Sequence, residues 1–384
     1  MAIWDELTGQ ADAIAVVEAA AAASRVGGSD DSSMTHSWLI TGPPGSGRSN
    51  LAYAFATALL GGDDEATRRQ VQARTHPDLG VLATERVIIS IEEVRQLVAT
   101  SQFSPSVGRY RVMVIEDADR MTERTSNVLL KALEEPPPRT VWILCAPSEA
   151  DLIPTIRSRV RTVRLRVPSV DEVASLLERR DGVDAATATR AAREAQSHIG
   201  MAHRLATNAQ ARQRRERTLD VALGIRSVSD ATNAATVLLD LAKADAEAIT
   251  EERDSEERDA ALRSLGIDPG GTIPPALRSQ LKALEEDQKR RATRSLRDGI
   301  DRIMVDLLSL YRDILLIQLG VPGDPINLSI LGRVEAAAAL SDAAGTLATM
   351  DAIAIARRRI DSNVAPALAL EAMLVTAVRK AAAQ

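Results

Sequence analysis

Gly42-Pro43-Pro44-Gly45-Ser46-Gly47-Arg48-Ser49 decides how this chain is read. Before it lies Trp38-Leu39-Ile40-Thr41, a short apolar run with the character of a buried strand. After it, Asn50 to Leu60 predicts a helix that Gly61-Gly62 stops. Strand, glycine loop and helix form the setting of a P-loop. The glycines let backbone N–H groups converge on a phosphate, and the helix N-terminus adds the positive end of its dipole. The pattern G-x-x-x-x-G-K-[ST] is met at Gly42, Gly47 and Ser49, with Gly45 inside the loop, but the lysine position holds Arg48. Lysine is a compact point charge, whereas arginine is longer, planar and forked, so the exchange is not conservative at a tight site. The stretch predicts a P-loop fold and argues against a competent ATPase behind it.

Outward from the loop, short apolar runs alternate with helical periods. Leu79 to Leu82, Val87 to Ile89, Tyr110 to Ile115, Thr140 to Cys145 and Thr162 to Leu165 are read as strands. An alanine-rich helix is expected from Asp5 to Arg25, with a polar loop from Gly27 to Ser33 after it. Asp63 to Thr75 is charged and lacks a strong period, and His76-Pro77-Asp78 breaks it as a turn. Ser90-Ile91-Glu92-Glu93 has the form of a capping box opening a helix to about Thr100. A further helix spans Thr122 to Leu133. This alternation predicts a parallel α/β sheet over residues 1–167 with helices on both faces. Past Pro168 the pattern is helical throughout. Val170 to Arg180, Ala185 to Gln196 and Met201 to Gln213 suggest a small helical domain, 168–214. An all-α domain, 215–384, follows: helix from Leu238 to Leu265, a break over Asp268 to Pro275, one long helix from Leu277 to Leu319 and a last helix from Pro366 to Ala382. The apolar face of the long helix is marked by Ile300, Ile303, Met304, Leu307, Leu308, Tyr311 and Leu315. The mixed-charge run 251–259 reads as a solvated helix face.

Composition narrows the function classes. The 384 residues suffice for two or three domains with sizeable cores. A net charge of -6, from 47 basic and 53 acidic residues, is no global nucleic-acid signature. The single cysteine, Cys145, excludes an internal disulfide framework and a cysteine-rich zinc site, and its apolar surroundings suit a small core residue. The start of the chain, Met1-Ala2-Ile3-Trp4-Asp5-Glu6, is acidic and has no long apolar core, so a cytoplasmic location is expected.

Two clusters carry the chemistry. Glu116-Asp117 ends the third central strand as a Walker-B-like pair. In that motif an Asp meets Mg²⁺ and a following Glu meets the attacking water. Here the order is reversed, which moves each reach point by about one methylene, ~1.5 Å. An error of about 1 Å can cost roughly a hundredfold in rate. Arg48, Glu116 and Asp117, with Gly42, Gly45, Gly47 and Ser49, therefore read as a degenerate nucleotide site. In a simpler reading the acids cap the next helix and pair with Arg120 or Arg124. Arg157-Ser158-Arg159 precedes the last strand and is either a solvated pair of charges or an arginine finger that stabilises phosphate charge in a neighbour's site. His198 to Arg204 opens a helix whose role reads as packing and surface charge.

Gly9-Gln10, His36-Ser37-Trp38-Leu39, the glycine loop, His76-Pro77-Asp78 and Val114 to Met121 together resemble the clamp-loader branch of AAA+ proteins. So do Asn127 to Pro137 and Ile156-Arg157-Ser158-Arg159. The chain is most similar to the delta-prime family of bacterial DNA polymerase III, and its Arg48 and alanine-rich style resemble actinobacterial members. Ser309 to Leu315 and Asn363-Val364-Ala365-Pro366 resemble the family's collar domain. The resemblance implies an AAA+ domain, a helical lid and an oligomerising collar. It implies a ring-shaped pentamer with delta and three gamma/tau subunits that loads the sliding clamp at primed DNA. It further implies a rigid stator whose Ser-Arg-Cys arginine, matched by Arg159, serves an adjacent gamma/tau ATPase; the cysteine is Val160 here. Family members often hold zinc with four cysteines between the P-loop helix and the His-Pro-Asp segment. Gly61 to Thr75 has none, so no zinc is expected and no cofactor is required, although ATP or ADP could occupy the degenerate loop. An active gamma/tau-like ATPase and a non-hydrolysing nucleotide-binding module are the competing readings.

Overall fold

The three inner strands of the sheet are buried on both faces, which is why each reads as a largely apolar run, whereas the edge strand at Arg161–Arg164 buries only Val163. In the computed structural model of the protein, residues 4, 7–26, 34–61, 64–84, 87–264 and 278–378 are described. Five strands, β1 (Ser37–Thr41), β2 (Leu79–Leu82), β3 (Arg111–Ile115), β4 (Thr140–Ala146) and β5 (Arg161–Arg164), lie in the order β2-β3-β4-β1-β5. All pairings are parallel, with Ile40 opposite Cys145 and Val114 opposite Ile143. The two-residue period of a strand divides the core. Trp38, Ile40, Val112 and Val114 pack with α1 (Ala11–Val26) and α2 (Arg48–Leu60). Leu39, Met113, Ile115 and Trp142 face α4 (Ile91–Ser101) and α5 (Glu123–Glu134) on the other side. Trp38 meets Phe55 of α2 edge to face at 5.2 Å, an arrangement worth about 1 kcal/mol beyond the area buried.

Contacts divide the chain into two compact units, Met1–Thr207 and Asn208–Gln384. The first holds the sheet, α3 (Glu65–Gln72), the one-turn α6 (Pro154–Arg157), and α7 (Val170–Asp181), α8 (Ala185–Glu194) and α9 (Ile199–Thr207). The second comprises α10 (Ala209–Leu223), α11 (Val228–Ser264), α12 (Arg278–Gln318), α13 (Leu331–Ala339), α14 (Ala343–Asp361) and α15 (Pro366–Thr376). Its core joins Leu219, Leu238, Ile300, Leu307, Ile353 and Leu370 from five of these helices. Among the described residues no helix is long and apolar enough to cross a membrane.

The parallel α/β sheet with a glycine loop between β1 and α2, followed by a helical C-terminal region, matches the expected fold class. Several boundaries differ. Val87 to Ile89 is not a strand: Ile89 makes a single bridge to Met121, and Ile88 faces solvent. Asp63 to Thr75 does contain a helix, α3, because Asp64 caps it through the N–H groups of Ala66 and Thr67. The helix expected over Met201 to Gln213 is two, broken at Asn208, whose side chain caps α10 through Ala211 N–H. The boundary expected at residue 214 thus falls inside α10. The first helix begins at Ala11 rather than Asp5, after a turn in which Gly9 has φ +75°. Arg157 closes the one-turn α6 instead of lying on a loop. α11 starts ten residues before Leu238. The last helix ends at Thr376, not Ala382. The polar loop 27–33 and the break at 268–275 lie outside the described residues, as do the side chains of the charged run 251–259.

Candidate functional site

The carboxyl ends of β1 and β3 flank β4, so the loop after β1 and the acids after β3 come to one edge of the sheet. Ligand sites of open α/β sheets gather there. Pro43 to Ser46 closes a turn in which Ser46 N–H donates to the Pro43 carbonyl over 3.2 Å. Pro44 followed by Gly45 at φ +79° is the type II pattern. Gly47, at φ +93°, delivers the chain into α2 without a side-chain cap. The N–H groups of Arg48, Ser49 and Asn50 therefore start the helix without an acceptor inside it. Ser46 Oγ is buried and meets no hydrogen-bond partner among the described residues.

Distant segments hold the loop. Gln10 donates through Nε2 to the carbonyls of Arg166 (2.9 Å) and Ser46 (3.4 Å), and its Oε1 accepts from Arg166 N–H at 3.1 Å. The expected Gly9-Gln10 motif thus clamps the loop to the end of β5. On the other side, the start of α9 presses on Gly45. A Cβ added there would lie 2.2 Å from His198 Cγ, and Ile199 N–H donates to the Gly45 carbonyl at 3.2 Å. His198 also caps α9, its Nδ1 accepting from Met201 N–H at 3.2 Å. Packing was expected of this segment; its contact with the glycine loop was not.

Arg48 does not reach outward as a P-loop lysine does. Its Nη1 donates to the Gly42 carbonyl at 2.7 Å, and its Nη2 lies 3.9 Å from Asp117 Oδ1. Glu116 is engaged on both oxygens. Oε2 accepts from Ser49 Oγ at 2.8 Å; Oε1 accepts from the Tyr53 hydroxyl at 2.5 Å and from Arg74 Nη2 at 2.8 Å. Burial pushes Tyr53 up strongly, and its bond to the Glu116 carboxylate adds to that, so it stays a neutral donor. Asp117 adopts left-handed backbone at φ +50° and pairs with Arg120 at 3.5 Å. This pairing is the one the simpler reading of the acids named. Burial, then the charge of Asp117, raises Asp119. Burial likewise pushes the Cys145 thiol up, as suits a core residue.

The phosphate and metal halves of the site differ in fit. The first-turn amides of α2 and the orphaned Ser46 hydroxyl suit a phosphate. The metal half does not suit a divalent cation: the Arg74 guanidinium already neutralises the Glu116 carboxylate. Tyr53 and Arg74 were not foreseen as members of this site. Tyr53 lies one turn past Ser49 on α2, the only sequence signal that could have indicated it. Arg74 gave no signal.

Arg159 lies apart from these residues in the sequence-predicted set. Its Nε donates to Glu134 Oε1 at 2.6 Å, with Nη2 on the same oxygen, and its Nη1 donates to the Thr155 carbonyl at 2.7 Å. About a third of the side chain is exposed. It lines an open cavity of about 460 Å³ with His36, Leu133, Glu134 and Ser158. His36 Nε2 is bonded to the Leu133 carbonyl at 3.0 Å, and since a carbonyl only accepts, Nε2 carries the proton.

His76 and Asp78 form a turn, as expected. Asp78 is fully buried. It accepts from the N–H groups of Ser106, Val107 and Gly108 at 2.6–2.7 Å and pairs with Arg111 at 3.1 Å. Burial raises its pKa, but these N–H donors outweigh it and hold the carboxyl below its ordinary value. Burial lowers His76, whose Nδ1 accepts from Asp78 N–H, consistent with a neutral ring.

Residues 27–169 match the family described as DNA polymerase III, delta subunit. The delta' subunit of DNA polymerase III from Pseudomonas aeruginosa is 37% identical over 134 residues, 32% of this chain and 41% of the relative. That of Escherichia coli is 31% identical over 154 residues, 38% and 46% of the two chains. The DNA polymerase III subunit gamma of Buchnera aphidicola is 29% identical over 153 residues, 37% and 41%. The chain thus spans less than half the length of these curated relatives. Residues 27–169, which hold the glycine loop, Glu116, Asp117 and Arg159, are thus similar to the delta' subunits of DNA polymerase III.

Proposed function

We propose that this chain is a delta-prime-type clamp-loader subunit: a stator that scaffolds a ring with delta and gamma/tau subunits and donates Arg159 to a neighbouring gamma/tau ATPase. The ring would load a sliding clamp onto primed DNA. The single observation carrying this reading is the engagement of Glu116 by Ser49, Tyr53 and Arg74, with Arg48 folded onto Gly42. With Arg48 turned back onto Gly42 and a guanidinium on Glu116, the site offers neither the outward lysine nor the free carboxylate that hydrolysis uses. Arg159, by contrast, stands at the surface. Its half-exposed pair with Glu134 is of a kind worth about 0–1 kcal/mol, a hold that phosphate charge on a partner can displace. The gamma and delta' names of the relatives support the choice of partners. Gly42, Gly45, Gly47, Arg48, Ser49, Glu116 and Asp117 then form a degenerate nucleotide site without turnover of its own. The division into AAA+ domain, lid and collar is part of the same proposal.

The deciding experiment is ATP turnover by a reconstituted clamp loader, wild type against Arg159→Ala, with the purified chain alone beside it. The isolated chain is expected to be inert. Arg159→Ala is expected to lower turnover at the site it serves by roughly 10³, the scale of a lost arginine finger. Turnover by the chain alone would overturn the degenerate-site reading. A complex indifferent to Arg159→Ala would remove the finger and leave scaffolding.

The non-hydrolysing nucleotide-binding alternative retains one specific support, the first-turn amides of α2 beside the orphaned Ser46 hydroxyl. Calorimetric titration of ADP into the chain separates it from a site that never fills.

A further inference from the structure

Arg74 is in an unusual position for an arginine. Its backbone is left-handed, at φ +57°, a region that costs a non-glycine residue roughly 1 kcal/mol. From there its guanidinium lies over the Tyr53 ring, 5.3 Å from the centroid, and bonds Glu116. Tyr53 in turn donates to the same carboxylate oxygen. Ser49, the residue a P-loop offers to a divalent cation, bonds the other oxygen. The left-handed residue ends α3, Arg74 N–H donating to the Val71 carbonyl and Thr75 N–H to that of Gln70, while the ring contact and the ion pair converge on the acid that a Mg²⁺ ion would need.

We propose that Arg74 is the resident cation of this site and excludes a divalent one, so that the glycine loop accepts phosphate only free of metal. The proposal deepens the reading of a site without turnover and rests on it. Magnesium demands near-octahedral oxygen ligands at about 2.0–2.1 Å. To take it on both oxygens, Glu116 would have to release its hydrogen bonds from Ser49 and Tyr53 and its pair with Arg74. The displaced guanidinium would then stand as a like charge beside the ion. About half of the Arg74 side chain is exposed, so the pair itself adds little to stability. Its effect is on selectivity: it satisfies Glu116 and repels a second positive charge at the same oxygens.

The test uses the purified full chain and Mn²⁺ as probe, followed by electron paramagnetic resonance of the free ion. Arg74→Gly removes the guanidinium and suits the left-handed backbone, so the fold is retained; Arg74→Asn provides a second variant of the same kind. Wild type is expected to show no Mn²⁺ uptake that Glu116→Gln abolishes. Arg74→Gly should gain Mn²⁺ affinity at least about tenfold, from the loss of one unit charge a few ångströms away. That gain should vanish in the Arg74→Gly, Glu116→Gln double variant. Glu116-dependent uptake by wild type, or no gain in either Arg74 variant, overturns the proposal. Titration of ADP with Mg²⁺ or with chelator adds a second arm. Wild type should bind the metal-free form at least as well, and Arg74→Gly should favour the magnesium form. Tighter wild-type binding of the magnesium form overturns the proposal. Binding of neither form overturns the phosphate half of the proposal, and the Mn²⁺ arm decides the exclusion of the cation. A failure of Arg159→Ala in the reconstituted complex would leave both arms unaffected, so the two readings fail separately.

Discussion

A buried carboxylate that accepts several N–H donors is a structural element in its own right, and Asp78 illustrates it. Its bonds to Ser106, Val107, Gly108 and Arg111 fix the loop between α4 and β3. Asp78→Ala would leave these donors and a buried guanidinium unpaired, at a cost of about 3 kcal/mol, measurable by chemical denaturation. The pH dependence follows from the depressed carboxyl. Its folded value lies below its unfolded one, so its contribution is fully present above the unfolded value and is lost as pH falls through the folded one. Wild type should lose thermal stability on the acid side more steeply than Asp78→Asn, whose side chain does not titrate. The residues of this turn were legible in His76-Pro77-Asp78, but the donors, 28 to 33 positions later, were not.

At the scale of elements, helix boundaries were legible wherever a side chain closed on its own backbone. Ser90 and Glu93 form the expected capping box of α4: Glu93 N–H donates to Ser90 Oγ at 3.3 Å, and Ser90 N–H to Glu93 Oε2 at 2.8 Å. Ser90→Ala should cost about 1 kcal/mol in denaturant titration. Asp64 and Asn208 cap α3 and α10 in the same manner, and these two signals were present but passed over. The contact between the glycine loop and α9 is of another kind. Gly45→Ala would place a Cβ against His198 and force φ +79° on a residue with a side chain, which should cost about 2–3 kcal/mol. The double variant with His198→Ala relieves the clash but not the backbone strain. Its destabilisation should therefore be less than the sum of the two single variants by about 1 kcal/mol, read from a double-mutant cycle.

At the scale of the molecule, each of the two units has its own means of cohesion. The second is centred on a polar network inside an alanine- and leucine-rich helical core. Asp313, fully buried, accepts from Ile326 N–H, Asn327 N–H and Asn327 Nδ2, and Arg312 pairs with it. The Asn327 amide oxygen accepts from Arg215 Nη2 at 2.6 Å, and Arg215 Nε reaches Asp306 at 3.0 Å. α10, α12 and the segment after α12 are thereby fastened by groups with partners for most of their bonding capacity. Asp313→Ala should cost about 3–5 kcal/mol, the scale of breaking a buried pair. Hydrogen exchange should show the loss of protection confined to residues 208–378.

The amino-acid sequence by itself determined the class of the fold, the identity of the glycine loop and its two departures, Arg48 and the Glu116-Asp117 order. These are local properties: a two-residue or 3.6-residue period, a cap, a missing lysine. It also carried the apolar face of α12, where Ile300, Ile303, Met304, Leu307 and Tyr311 are buried, although the expected Leu308 and Leu315 are only partly so and Leu310 and Ile314 join unannounced. Only the tertiary structure decided which side chains the departures meet. Ser49 and Tyr53 are more than sixty positions from Glu116, and Arg74 is 42 away. Nothing in a one-dimensional pattern states that β1 and β3 flank β4, yet that order brings α2 and the chain after α3 to one carboxylate. Pairing between distant side chains depends on how the sheet is threaded, and threading is a property of the whole packed chain.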